Sequence, residues 1–244
     1  MCQLLLSIIC VCVSLVGRAE DVPVAAPSPS YIESMSNAVN VSVLAGSNVI
    51  TKVQPGQILE PGNHVQTKDS SARIVFSDGS AITLGKNSDL EMKTPEQDTK
   101  TKKLILISFL KSGFLHARVH HQEDPAAAPH FYIETSTAVA GVRGTEFTMR
   151  ASADEKDFQL HVLEGKVAVA VERTKISDVP VAGSGEMVGV KGGVISPVEK
   201  FNLAEYRKTL SANYAEVHKL IYNQIKSHDE SMKSAKPGRR RRRR

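Results

Sequence analysis

Short runs of alternating apolar residues, each interrupted by glycine, recur between residues 39 and 193 and restrict the fold class more than any other feature. Ala72, Ile74 and Phe76 alternate, Asp78-Gly79 intervenes, and Ile82 and Leu84 resume. Asp-Gly between alternating runs is a strong local turn signal. The same order appears at 109–119 around Gly113 and at 158–171 around Gly165, where Phe158, Leu160 and Val162 share one face and Val167, Val169 and Val171 the next. A period of two buries one face of a strand, so each unit predicts strand, glycine turn, strand. Their spacing is irregular, which makes them recurring units and not a repeat array. Val41 to Gly46 and the Pro-Gly pairs at 55–56 and 61–62 continue the pattern, whereas 94–103 and 122–129 are polar or Ala/Pro-rich and read as surface loops.

Residues 135–147, Thr-Ser-Thr-Ala-Val-Ala-Gly-Val-Arg-Gly-Thr-Glu-Phe, lie at the centre of this pattern. Gly141 and Gly144 flank Val142-Arg143; lacking a Cβ, they read as a forced bend between two strands. Thr145, Glu146 and Phe147 lead into the next strand. Arg143 with Glu146 reads as a recognition pair or as an ion pair closing the bend. The structural role is favoured, because five guanidinium donors suit pinning carbonyls around a turn.

With 244 residues the chain can bury one sizeable core. It has no Trp and only 5% aromatic residues, which disfavours a stacked-sugar site. The net charge of +5 is smaller than the six charges of Arg239, Arg240, Arg241, Arg242, Arg243 and Arg244, so the rest of the chain sums to −1. A basic groove on the folded body, and with it a nucleic-acid partner, is therefore disfavoured.

All three cysteines, at 2, 10 and 12, fall in an apolar run ending at Gly17-Arg18-Ala19. The run is short for a membrane span and ends in small residues, so 1–19 reads as a secretory signal peptide. An exported chain cut there has no cysteine, hence no disulfide and no thiol chemistry. Residues 20–38, with Pro23, Pro27 and Pro29, read as a flexible leader. The β pattern then occupies 39–192.

Beyond it, Ser196-Pro197-Val198-Glu199 combines an N-cap, a first-turn Pro and a capping-box Glu. Leu203, Tyr206, Leu210, Tyr214, Val217, Ile221 and Ile225 follow at three- and four-residue intervals. This predicts one long amphipathic helix over 196–236, its stripe packed along the β domain, with self-association through it as the alternative. Residues 237–244 form the arginine tail, which is either a solubilising end or a contact for anionic lipid, lipopolysaccharide or wall polymer.

Taken in order, 41–46, Gly62-Asn-His-Val-Gln-Thr67, Phe76-Ser-Asp-Gly-Ser80, Leu84-Gly-Lys-Asn-Ser-Asp-Leu90, 113–119, 135–147 and Val162-Leu-Glu-Gly-Lys-Val-Ala-Val169 resemble a FecR-type domain, most specifically in Val142-Arg143-Gly144-Thr145-x-Phe147. The resemblance implies an all-β domain like a short, irregular β-solenoid, on the exported side of a bacterial membrane; a β-sandwich is the alternative. The family is best known from transmembrane regulators that relay a transport signal to a sigma factor. The cytoplasmic anti-sigma region and membrane span of those regulators are not matched by this sequence, so anti-sigma activity does not carry over. A sensing or partner-binding character does.

Catalytic signals are weak. His116 and His120 share a strand face but stand about 13 Å apart at 3.3 Å per residue, too far to hold one ion. These two, His121, His130 and the outward-facing His161 read as solvated surface residues, and no metal is expected. Ala182–Gly193 has a Gly-x-Gly-x-x-x-Gly form without the strand and helix a dinucleotide needs, so no cofactor is expected. No Gly-x-Ser-x-Gly occurs. The expectation is a non-catalytic sensing, signalling or partner-binding module of the periplasm or envelope, or a structural adaptor held to a protein or envelope polymer by its helix or tail.

Overall fold

The computed structural model describes residues 30–99, 101–121, 129–154, 156–179, 181–220 and 222. In chain order the strands are β1 (Ser30–Met35), β2 (Val41–Ala45), β3 (Asn48–Ile50), β4 (Ile58–Leu59) and β5 (Asn63–Thr67). Next come β6 (Ala72–Val75), β7 (Ala81–Leu84), β8 (Ser88–Met92), β9 (Glu96–Gln97) and β10 (Leu104–Arg118). They are followed by β11 (Phe131–Glu134), β12 (Val139–Val142), β13 (Glu146–Ala151), β14 (Asp157–Glu164) and β15 (Lys166–Ala170). The series closes with β16 (Val181–Gly183), β17 (Glu186–Lys191), β18 (Val194–Ile195), β19 (Glu199–Lys200) and helix α1 (Leu203–Asn213). Among the described residues no helix is long and apolar enough to cross a membrane.

The sheet curls as a half-barrel whose two halves share β10. The first half runs β4-β1-β6-β7-β10-β13-β14-β17, with β18 and β19 paired to β17. The second runs β3-β2-β5-β8-β10-β11-β12-β15-β16. The chain alternates between them, since β12 and β15 lie in the second half while β13 and β14 lie in the first. Glycines sit at these crossings, where the backbone must turn a corner in little space.

That placement corrects two turn assignments. Around Gly113 there is no turn: β10 runs through it as one 15-residue strand and changes half there, with Gly113 at φ 104° against the backbone of Ser88. Around Gly165 the flanking strands do not pair with each other, so this glycine is a corner. Asp78-Gly79 is the tight turn expected, joining the antiparallel pair β6 and β7.

The β-solenoid expectation is not confirmed. Solenoid coils stack parallel strands, whereas every pairing described here is antiparallel except β10 with β11. Two halves facing one core are what the sandwich alternative anticipated; the curl is not. Inward-facing residues of both halves, from Ile32 to Val190, form a single apolar cluster. Phe76 and Phe131 meet edge to face inside it at 4.9 Å. Val171, expected inward, lies past the end of β15 and is 39% exposed.

Both flanks of the domain shift. Part of the expected leader is strand β1, with Ile32 fully buried in the core. Ser196 does not cap a helix: its Oγ accepts the Gly189 N–H at 2.9 Å, and β19 follows. The helix begins at Leu203, capped by Asn202, whose side chain accepts the Glu205 N–H at 3.1 Å. It breaks at Tyr214 before helical residues 215–220. Ile225 and the rest of the expected helix to 236 lie outside the described residues. The stripe packs on the β domain as expected, with Leu210 against Phe114 and Leu163, and Tyr214 stacked on Phe114 at 3.9 Å.

Candidate functional site

The stretch 141–147 forms the corner between β12 and β13. Gly141 ends up inside β12, and a Cβ there would meet Ile176, Pro129 and Tyr132 at 2.9 to 3.3 Å. Ile176 comes from the 3-10 turn Arg173–Asp178 and closes a small apolar patch of Ile107, Tyr132 and Val139 on the outer face. Gly141 is therefore set by close approach. Val142 is buried in the core. Gly144 takes φ 60° and lies directly against the His121 ring.

Thr145 fastens this corner to the next one. Its buried Oγ1 donates to the Lys166 carbonyl at 2.8 Å and accepts the Lys166 N–H at 3.3 Å, while its own carbonyl accepts the Val119 N–H at 2.9 Å. A Cβ at Gly165 would stand 2.7 Å from the Gly144 carbonyl oxygen, so the corners at 144 and 165 pack backbone to backbone. Phe147 points inward and is fully buried.

Glu146 points the other way, onto the outer face. His116 Nε2 bonds its Oε1 at 2.9 Å, and Arg118 and Arg207 approach Oε2 at 3.8 and 3.6 Å. The ion pair at the bend is thus built from His116, Arg118 and Arg207. Arg143, half-buried, makes interactions of its own. Burial alone would raise the Glu146 pKa, but the interaction with His116 and the nearby Arg118 and Arg207 outweigh it and hold the carboxyl down to about 2.

A depressed carboxylate stabilises the fold above its unfolded value of about 4.5, and that stability is lost as pH falls through about 2. After discounting for water at the cleft, the contribution is on the order of 1–2 kcal/mol. Glu146→Gln is accordingly expected to lose that much in urea denaturation at pH 7, with the gap closing as pH approaches about 2. A gap that stays constant across that range would show that the charge of Glu146 does not contribute.

These residues border an open cleft of about 500 Å³ lined by Gly79, Arg118, Val119, His120, His121, Gly144, Thr145, Glu146 and Glu164. Arg118, Glu146 and Glu164 are cross-strand neighbours on β10, β13 and β14. Sequence reading found the corner but missed Arg118, Glu164 and Arg207. Only strand register brings the first two together, and only the helix placement adds the third.

The histidines divide. His120 and His121 are exposed, as expected. His116 is buried on Glu146. His130 is buried 3.3 Å from Asp78, whose carboxyl is lowered: burial opposes this, but bonds from His130 and Ser80 prevail. His161 does face outward but is roofed by α1, stacking on Tyr206 at 4.3 Å and meeting Phe201 edge-on at 5.1 Å. Burial pushes its pKa down to about 4, so it is neutral at pH 7. A strand pattern alone could not show this roof. Ala182–Gly193 is strand, turn and strand, with no helix following. Arg239–Arg244 lie outside the described residues.

No curated protein matches the sequence. Two crystal structures of a "putative anti-sigma factor" from Parabacteroides distasonis align with it at 16% identity and a TM-score of 0.46, covering 61% of this chain and 64% of that one. The chain thus spans less than two thirds of the length of those solved chains. The family described as FecR protein matches residues 63–168, the segment that holds the 144 corner, the His116–Glu146 pair and the cleft. Residues 63–168 thus match a FecR domain.

Proposed function

We propose that this chain is a non-catalytic sensing and binding module on the exported side of a bacterial envelope, engaging a protein partner through the charged cleft beside Glu146. The observation that carries the reading is the cleft itself: Arg118, His120 and His121 on one side and Glu146 and Glu164 on the other make an open, mixed-charge surface at the most specific part of the FecR motif. Complementary charges of this kind favour a protein contact and fix its register. Glu146 is unsuited to acid–base catalysis, because a carboxyl held at about 2 keeps no proton to give at pH 7 and is a weak base. The arginine tail, +6 against a body of −1, adds a contact for anionic lipid or lipopolysaccharide.

The test is site-specific photo-crosslinking in native envelope membranes. A photo-reactive residue in place of His120 should capture one discrete partner, and Glu164→Lys should cut that yield about tenfold, as a loss of about 1.4 kcal/mol would. The same partner captured equally from Lys52, which lies between β3 and β4 and does not line the cleft, would sink the assignment.

A further inference from the structure

The outer face of the first half-sheet carries an unbroken cross-strand row: Arg73, Thr83, His116, Thr148 and His161, on β6, β7, β10, β13 and β14. Helix α1 lies over the Thr148–His161 end of this row, and the residues after it reach neighbouring parts of the domain. The Tyr206 hydroxyl and the Thr148 hydroxyl share a 2.7 Å hydrogen bond, and Glu216 reaches Ser36 at 3.0 Å and Lys86 at 3.7 Å. A helix seated on a sheet ordinarily covers an apolar face. The row itself is polar, and Arg73 and His116 within it are satisfied without the helix.

Arg73 donates from Nε to Glu33 at 2.9 Å and from Nη1 to Thr83 at 3.1 Å, and His116 is bonded to Glu146. Thr148 depends on α1, and a hydroxyl released to water loses little because water replaces its partner. The apolar contacts of α1, through Leu210 to Phe114 and Leu163, form a cluster separate from the main core. Lifting α1 therefore uncovers Phe114 and Leu163 of that separate cluster beside a polar row, and leaves the main core closed. Among the described residues, Arg207 provides a charged tie between α1 and the cleft, 3.6 Å from Glu146.

We propose that α1 is a releasable strap latched through Glu146, so that a cationic side chain of a partner protein taking Glu146 in place of Arg207 frees the helix. The strap stands on the packing alone, while its link to a partner rests on the reading of the cleft given above. Linkage makes the effect reciprocal: whatever loosens α1 makes Glu146 more available.

Amide hydrogen exchange on the full chain tests the strap. Amides of α1 should exchange about 100-fold or more faster than those of Leu115, Phe147 and Leu160, as expected of a unit that opens below the global unfolding free energy. Arg207→Ala should speed α1 about two- to fivefold and leave the core amides unchanged, the size of an exposed ion pair. One common rate for α1 and core overturns the strap, and an unmoved α1 rate in Arg207→Ala overturns the latch.

Fraying in place is separated from lifting by a thiol reporter, with Cys2, Cys10 and Cys12 replaced by Ser. Thr148→Cys, beneath α1, should label at the α1 rate; labelling only at the slow rate of Ala140→Cys, in the core, overturns the proposal. Failure of Glu164→Lys to change partner capture would count against the cleft reading and leave these rates as they are.

Discussion

Phe147→Ala is expected to lower the unfolding free energy by about 3–5 kcal/mol, the range for emptying a fully buried aromatic site. Phe147 has no exposed surface and sits between core residues of neighbouring strands, with Ala117 opposite it on β10 and Val162 on β14. The two residues before it in the chain prevent the gap from closing, because Thr145 is tied to Lys166 and Glu146 to His116. With the backbone held at both residues before it, relaxation into the space is limited and the cavity term stays large. Urea denaturation should show a lower midpoint at unchanged slope. A midpoint equal to that of the wild type would mean that the motif's phenylalanine is not structural, and surface recognition would become its better account.

Sequence patterning located strands well where one face is buried and the turn is tight, as at Ala72–Val75 and Ala81–Leu84. It misread Gly113 and Gly165, because a glycine that permits a corner between sheet halves has the same local signature as one that permits a hairpin. The difference lies in which strands pair, and pairing is a long-range property. The corner at 141–147 was visible in its glycines, but Glu146's partners were not. His116, Arg118 and Arg207 come from 30, 28 and 61 residues away in the chain. The helix was legible in its stripe and misplaced at its start, since Ser196-Pro197-Val198-Glu199 fits a cap locally while the Gly189 N–H and the β17 edge claim it for the sheet. Ile32 and β1 were missed because three prolines just before them resemble a linker, although the core needs an apolar residue there.

Gly144→Val is expected to cost about 2–5 kcal/mol, and Gly46→Val separates the two causes. Both glycines have nearly the same backbone, φ 60° and 61°. At such angles a β-branched side chain is strained by about 1–2 kcal/mol wherever it stands. Around Gly46 nothing lies within 4 Å of the added Cβ, so strain is the whole effect there. At Gly144 the new atom meets the His121 ring and stands 3.1 Å from the His121 Cα. The ring can swing toward solvent, but the backbone of residue 121 cannot follow, because the neighbouring His120 N–H is held by Ser80 at 2.9 Å. Overpacking of this kind adds about 1–3 kcal/mol. Chemical denaturation of the two variants should therefore differ by that amount, with Gly144→Val the less stable. Equal losses would reduce Gly144 to a turn residue like any other, and the tight seat of residue 121 against the corner would not be what the FecR motif maintains.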